Sequence, residues 1–239
     1  MKKHIPNIIT LLNLLMGICA CILAIWEVYP GAFIFIIAAG VFDFLDGFFA
    51  RLLKAYSDIG KELDSLSDLV SFGVAPSLIL FSYQYYSLPD HIQFLAFIPL
   101  AIALFSSLRL AKFNLDSRQT TSFLGLPTPA NALLIASFVA YASIGEANFA
   151  TSILNKCWVI PVVSIILSLL LISEIPMFSL KFKNLKFRGN EIRFIFIASA
   201  LLILITGVFL SLHITLLVFL ILATYLLLCF AYLPFSKSK

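Results

Sequence analysis

Charge is what this sequence has least of. Only 12% of its 239 residues are Asp, Glu, Lys or Arg, about half the share found in an ordinary soluble domain. A chain so poor in charge cannot cover a water-facing surface, and 62% of it is apolar, so a water-soluble globule is excluded. Ten Gly and ten Pro are too few for a collagen-like or low-complexity chain, and 24 Phe exclude disorder. The four cysteines, Cys19, Cys21, Cys157 and Cys229, lie in apolar runs without zinc-ligand spacing and read as packing residues. His4, His91 and His213 stand far apart at the ends of those runs and are assigned no chemistry. No nucleic-acid partner is expected.

What the chain has in abundance is long hydrophobic runs. A hydrocarbon core about 30 Å thick takes about 20 mostly apolar residues per helix. Eight segments qualify: 8–28, 31–53, 63–86, 92–111, 124–144, 158–180, 192–212 and 214–232. The expected fold is all-α, a polytopic transmembrane bundle of about eight helices forming a single membrane domain over 1–239, with membrane lipids as its surroundings.

Lys and Arg in short loops are retained on the cytoplasmic side. With the N-terminus inside, eight crossings place every Lys and Arg on that side except Lys156. An odd number of helices would scramble this partition. Both termini are therefore expected in the cytoplasm, and the protein in the inner, cytoplasmic membrane of a cell. The opening Met-Lys-Lys and its apolar run resemble a secretory signal, but the run exceeds a signal's 7–15-residue core and a second span follows at once. It reads as the first helix.

Carboxylates inside a transmembrane helix cost about 2.5 kcal/mol or more, so their positions are informative. Asp43 and Asp46 fall in the second half of the second segment, Asp64 and Asp68 at the start of the third. Spacings of three and four put each pair on one helical face. The stretch 52–62 reverses the chain, with Gly60 free to adopt a conformation other residues resist. Four carboxylates in one small volume repel one another unless cations neutralise them. Oxygen ligands suit Mg2+, Mn2+ or Ca2+, and four acids suit two ions better than one. Gly47 and Ala50 leave the helix face beside the acids nearly bare, and Arg51 adds a planar fork suited to phosphate. The arrangement is one that can take a pyrophosphate. Capping of helices and pairing with Arg51, Lys54 and Lys61 is the bland alternative, and it suits Asp58 and Glu62 better.

The stretch Asp43-x2-Asp46-Gly47-x2-Ala50-Arg51-x8-Gly60-x3-Asp64-x3-Asp68 resembles the CDP-alcohol phosphotransferases, with all eight identities and every spacing of that family's pattern intact. The family moves a phosphate-containing group from a CDP-linked alcohol to an acceptor hydroxyl. Three flanking stretches resemble its phosphatidylserine synthase branch: Pro6-Asn7-x2-Thr10-x2-Asn13-Leu14-x2-Gly17, the run Lys61 to Pro76, and Arg109-Leu110-Ala111-Lys112-Phe113-Asn114 followed by Gly125 to Ala130. The last hundred residues contribute only hydrophobic spans to this likeness.

The resemblance implies transfer of the phosphatidyl group from CDP-diacylglycerol to L-serine with release of CMP. It implies two metal ions, Mn2+ or Mg2+ with Ca2+ as a further option, on Asp43, Asp46, Asp64 and Asp68. Asp68 is also implied as general base on the serine hydroxyl. Asn7, Thr10, Gly47, Ala50, Arg51 and Gly60 become candidates for contact with CDP-diacylglycerol. Asn13 is a weaker candidate, because hydrogen bonding between helices explains it equally well. No Ser, Cys or His stands as a covalent nucleophile, so direct displacement on phosphorus is expected. The resemblance further implies a homodimer, with an active site facing the cytoplasm.

Serine carries a carboxylate as well as an ammonium. Arg109 and Lys112 are candidates for the carboxylate and Asn114 for its orientation, although the positive-inside rule explains both cations equally well. The basic run Lys181, Lys183, Lys186, Arg188 and Arg193 attracts anionic headgroups at about 1 kcal/mol per charge, or is only a topology signal. Other acceptors, glycerol 3-phosphate or inositol phosphate, remain alternatives and would call for more cations. A divalent-cation transporter using the four aspartates is the alternative of another class. Such sites, however, sit near the midplane between repeated halves, and no second copy of the cluster is present.

Overall fold

The computed structural model describes residues 4–115, 123–145, 148–178 and 190–236. The first helix, α1 (Ile5–Ile25), buries Pro6, Thr10, Asn13, Gly17, Ala20 and Ala24. Steps of three and four put these on one stripe. Ile8, Leu11, Leu15, Ile18 and Ile22 are exposed instead. Small and polar groups face the protein while large apolar ones face outward, the pattern of a helix solvated by lipid. Helix α2 (Tyr29–Leu52) does likewise, burying Ala32, Phe33, Ile36 and Ala39 and, nearer its C-terminal end, Asp46.

Helix α3 (Asp58–Asp68) starts at Ser57, whose hydroxyl accepts from the Gly60 amide at 3.0 Å. It continues through a widened π-helical turn, Leu69–Val74, into α4 (Ala75–Ser87). Pro76 explains the widening, because it lacks an amide hydrogen and its ring crowds the carbonyl four residues back. Gly73 meets the fifth helix there, since a Cβ on it would lie 3.0 Å from Ser106 Cβ. A 3-10 stretch, Asp90–Leu100, leads into that helix, α5 (Ala101–Leu115). Two-residue strands β1 (Phe123–Leu124) and β2 (Pro176–Met177) pair antiparallel, with Phe123 opposite Met177. Between them run α6 (Thr128–Ala142), the short α7 (Phe149–Leu154) and α8 (Val159–Ile172). Helices α9 (Glu191–Phe209) and α10 (Ile214–Ser236) follow, joined closely where Gly207 makes room for the Leu217 side chain.

Six helical runs are long and apolar enough to cross a membrane: Ile5–Ile25, Tyr29–Leu52, Asp58–Ser87, Asp90–Leu115, Glu191–Phe209 and Ile214–Tyr232. The apolar helices Thr128–Ala142 and Val159–Ile172 are shorter, at 15 and 14 residues, or about 22 Å of helix each. The protein is an all-α polytopic membrane bundle, and these eight apolar helices occupy the eight expected segments. The two short ones end early for local reasons. Gly125 adopts φ +74°, and a Cβ there would sit 2.6 Å from the Leu171 carbonyl oxygen. Its amide donates to Ile175 O at 2.9 Å, so the chain before α6 and the chain after α8 are tied together outside either helix. Lys2, Lys3, Arg118, Lys181, Lys183, Lys186, Arg188, Lys237 and Lys239, which carry much of the charge argument, lie outside the described residues.

Candidate active site

The end of α2 and the whole of α3 supply the four aspartates. Carboxylate oxygens of Asp43, Asp64 and Asp68 all lie within 4.8 Å of one another, the one such group of acids, histidines or cysteines found among the described residues. Asp46, one turn beyond Asp43, is buried at 7% exposure and lies outside this trio. Asp46 Oδ2 and Asp64 Oδ1 are both buried without a hydrogen-bond partner. Unpaired carboxylate oxygens in a dry interior are unfavourable alone, and a hard divalent cation is the natural complement of several at once. The donor set therefore fits metal ions on Asp43, Asp64 and Asp68, with the orphaned oxygen of Asp46 available beside them.

A cleft of about 210 Å3 opens at this end of the bundle, lined by Asn7 and Thr10 of α1, Asp46, Gly47 and Ala50 of α2, and Gly60 and Asp64 of α3. Six of the residues picked out from sequence for the nucleotide were Asn7, Thr10, Gly47, Ala50, Arg51 and Gly60, and all but Arg51 line it. Gly47 and Ala50 leave its wall low. Gly60 is needed for width, because a Cβ there would come within 3.0 Å of Asn7 Oδ1. Thr10 Oγ1 donates to the Pro6 carbonyl at 3.0 Å, which keeps the hydroxyl oxygen in a fixed place. The Arg51 guanidinium is exposed and turns back along its own helix, its Nε donating to Gly47 O at 2.9 Å. Tyr56, Ser57 and Lys61, with Pro6 and Ala55, complete the lining. Tyr56 and Ser57 come from the turn between α2 and α3, where no periodicity marks them in the sequence, and Lys61 from the first turn of α3.

Asp68 is set behind the lining of this cleft, and Asn13 Nδ2 of α1 donates to its Oδ1 at 3.1 Å. From the other side Arg109 enters the bundle, 8% exposed, and its Nη1 donates to Thr128 Oγ1 at 3.1 Å. It stands one turn beyond Ser106, which meets Gly73 of the π turn that follows Asp68. The other two candidates for serine do not gather with it. Lys112 is exposed. Asn114 lies about 140° round α5 from Arg109, and its Nδ2 donates to Ser65 Oγ at 2.8 Å while its carbonyl accepts from Lys61 Nζ at 3.3 Å. Those two bonds fasten α5 to α3. Thr128 was visible in the sequence only as part of the Gly125-to-Ala130 run, and nothing in the spacing marks it as the partner of Arg109.

A family model described as CDP-alcohol phosphatidyltransferase matches residues 3–172. The chain belongs to this family. The CDP-alcohol phosphatidyltransferase match runs from the start of α1 to the end of α8 and includes every residue of the cleft and the aspartate trio. A protein of Bacillus subtilis is 40% identical over 142 residues, 57% of this chain and 76% of its own length. One of Methanocaldococcus jannaschii is 33% identical over 171 residues, 72% of each chain. A third, from Mycobacterium leprae, is 34% identical over 181 residues, 72% of this chain and 57% of that one. Each of these three is named CDP-diacylglycerol–serine O-phosphatidyltransferase.

Proposed function

We propose that this member of the CDP-alcohol phosphatidyltransferases moves the phosphatidyl group of CDP-diacylglycerol to the hydroxyl of L-serine and releases CMP. The observation that carries the reading is the trio Asp43, Asp64 and Asp68 beside a cleft floored by small residues. The acceptor is supported by the shared name of the relatives.

Two divalent ions, Mn2+ or Mg2+ with Ca2+ as a further option, would be held by Asp43, Asp46, Asp64 and Asp68, and would supply neutralisation of the pyrophosphate and of the charge that develops on the oxygens. The chain's own residues do the rest. Asn7 and Thr10 offer polar atoms to the nucleotide, while Gly47, Ala50 and Gly60 keep the groove open for it. Arg51, held on Gly47 O at the edge of that groove, presents its remaining donors to a phosphate. Asp68 accepts the proton of the serine hydroxyl. The serine oxygen bonds to the phosphorus that carries diacylglycerol, and the bond from that phosphorus to the bridging oxygen breaks. That oxygen and its electron pair leave with CMP. Arg109 takes the serine carboxylate from α5, while Asn114 braces α5 on α3 through Ser65 and Lys61.

The diacyl tails lie along the apolar helices, the whole chain acts as one membrane domain, and the site faces the cytoplasm of a cell bounded by the membrane it occupies. A homodimer is proposed, with α9 and α10 free to supply its interface because neither contributes to the site. The deciding experiment is CMP release by detergent-purified protein given CDP-diacylglycerol and Mn2+ or Mg2+. L-serine, glycerol 3-phosphate and inositol phosphate are offered as separate acceptors. Serine-dependent release abolished by a chelator supports the proposal, while release with another acceptor moves the acceptor and keeps the site.

A further inference from the structure

We infer that the Asn13 carboxamide serves two partners at once: its nitrogen holds Asp68, and its oxygen takes the ammonium of the acceptor. The inference rests on the proposed serine chemistry and adds to it the residue that reads the amino group.

Asn13 is completely buried in α1. Its Nδ2 donates to Asp68 Oδ1 at 3.1 Å, an orientation chemistry dictates, because an ionised carboxylate only accepts. That leaves Asn13 Oδ1 as an acceptor, and it is buried with no hydrogen-bond partner. Buried acceptors without a donor are unfavourable and rare, and one beside a reacting group is satisfied when a ligand brings the donor.

The position of this amide is tightly set. The Asn13 carbonyl accepts from Ser71 Oγ at 3.1 Å. One turn on, Gly17 lets the backbone of Ser71 approach so closely that a Cβ would lie 2.8 Å from Ser71 Cα. On the far side of the same π turn, Gly73 packs on Ser106 of α5, one turn before Arg109. Asp68 is thus held by the Asn13 amide from α1, and the π turn that follows it packs on the helix that carries Arg109. Arg109 Nε, like Asn13 Oδ1, is buried without a partner.

L-serine has three polar groups to satisfy. The hydroxyl belongs to Asp68 and the carboxylate to Arg109. The ammonium is left, and it needs an acceptor close to Asp68, which the unpartnered oxygen of the carboxamide that holds Asp68 supplies. Glycerol 3-phosphate and inositol phosphate carry no ammonium, so this contact favours an amino alcohol over either of them. A site built to hydrogen-bond a group rejects the analogue that lacks it far more strongly than an apolar pocket does.

The test compares L-serine with 3-hydroxypropionate, which is serine without its amino group. CMP release gives kcat/KM for each acceptor in the wild type, Asn13→Ala and Asn13→Asp. Where 3-hydroxypropionate does not turn over, its inhibition constant against L-serine replaces that value. In Asn13→Ala the preference for L-serine is expected to fall at least fivefold, with the KM for CDP-diacylglycerol within twofold of wild type. In Asn13→Asp, which keeps an oxygen and the volume but loses the donor to Asp68, the preference is expected to stay within fivefold while kcat drops.

A preference that moves less than fivefold in Asn13→Ala overturns the inference, as does one lost equally in Asn13→Asp. Thermal unfolding of each variant separates a packing loss, which lowers activity toward both acceptors alike, from loss of the contact. Failure of the wild type to release CMP with serine overturns the proposed function instead. Turnover surviving in Asp68→Asn overturns only the role given to Asp68.

Discussion

Gly17 and Ser71 bring the first helix and the π turn into backbone contact. A Cβ on Gly17 would lie 2.8 Å from Ser71 Cα, closer than side chains tolerate, and the contact sets the height of α1 against the segment that carries Asp68. Gly17→Ala is therefore expected to push the two apart, at about 1–3 kcal/mol of stability for overpacking. Turnover should fall with it, because the Asn13–Asp68 bond lies one turn away. Thermal unfolding in detergent and CMP release, measured on the same preparation, check both halves. A variant as stable and active as wild type would mean that the helices can separate without consequence.

The aspartate trio predicts a shared metal dependence. Asp43→Asn and Asp64→Asn each remove one carboxylate charge from a group whose oxygens lie within 4.8 Å. Each is expected to weaken Mn2+ binding at least tenfold and to lower CMP release at least a hundredfold, with excess Mn2+ restoring part of the loss. Titration of bound Mn2+ by electron spin resonance gives the first quantity without reference to activity. Mn2+ affinity unchanged in both variants would contradict the placement of the ions.

Asp68→Asn separates chemistry from binding. An amide cannot accept the hydroxyl proton, and loss of a general base is worth about 10²- to 10⁴-fold in rate. With Mn2+ kept saturating, so that the three remaining aspartates still hold metal, the affinity for CDP-diacylglycerol is expected to fall by much less than turnover, about threefold to tenfold. Equal losses in turnover and affinity would remove Asp68 from the role of base.

Arg109 and Lys112 differ in burial, and their variants should differ accordingly. Arg109→Lys retains charge but loses the planar fork that reaches Thr128, so KM for serine is expected to rise at least tenfold. Thr128→Val, which deletes the hydroxyl and keeps the shape, should raise it by a smaller factor, about threefold to tenfold for one hydrogen bond. Lys112→Ala, at an exposed position, should leave it within about twofold. Serine titrations of CMP release rank the three, and a Lys112 effect as large as that of Arg109 would reverse the assignment.

Much of this architecture is legible before any coordinates. Hydrophobic runs of about 20 residues admit few alternatives to membrane-spanning helices, and eight expected segments correspond to eight apolar helices. The acids were legible for a related reason, since carboxylates in such runs stand out against an apolar background. Helical spacing alone puts Asp43 beside Asp46 and Asp64 beside Asp68. Cleft residues such as Gly47, Ala50 and Gly60 could be read from the same stretch because α2, its turn and α3 are consecutive in the chain.

Relations between distant segments were not legible. Periodicity says which face of a helix is buried but not which neighbour covers it. Asn13 and Asp68 are 55 residues apart, and only the packing of α1 on α3 makes one the donor to the other. Arg109 and Asn114 looked alike as polar groups on one helix end, yet helix geometry sends the first into the bundle and the second onto α3. The short α6 and α8 were likewise beyond reach, because the positive φ of Gly125 matters only once the strand-like ends of two loops meet. Composition and local spacing determined the solvent, the helices and the four acids, since those follow from transfer free energy and from 3.6 residues per turn. Tertiary structure decided which acids lie together, which cation enters the bundle and which amide bonds Asp68, since these depend on how separate helices interlock.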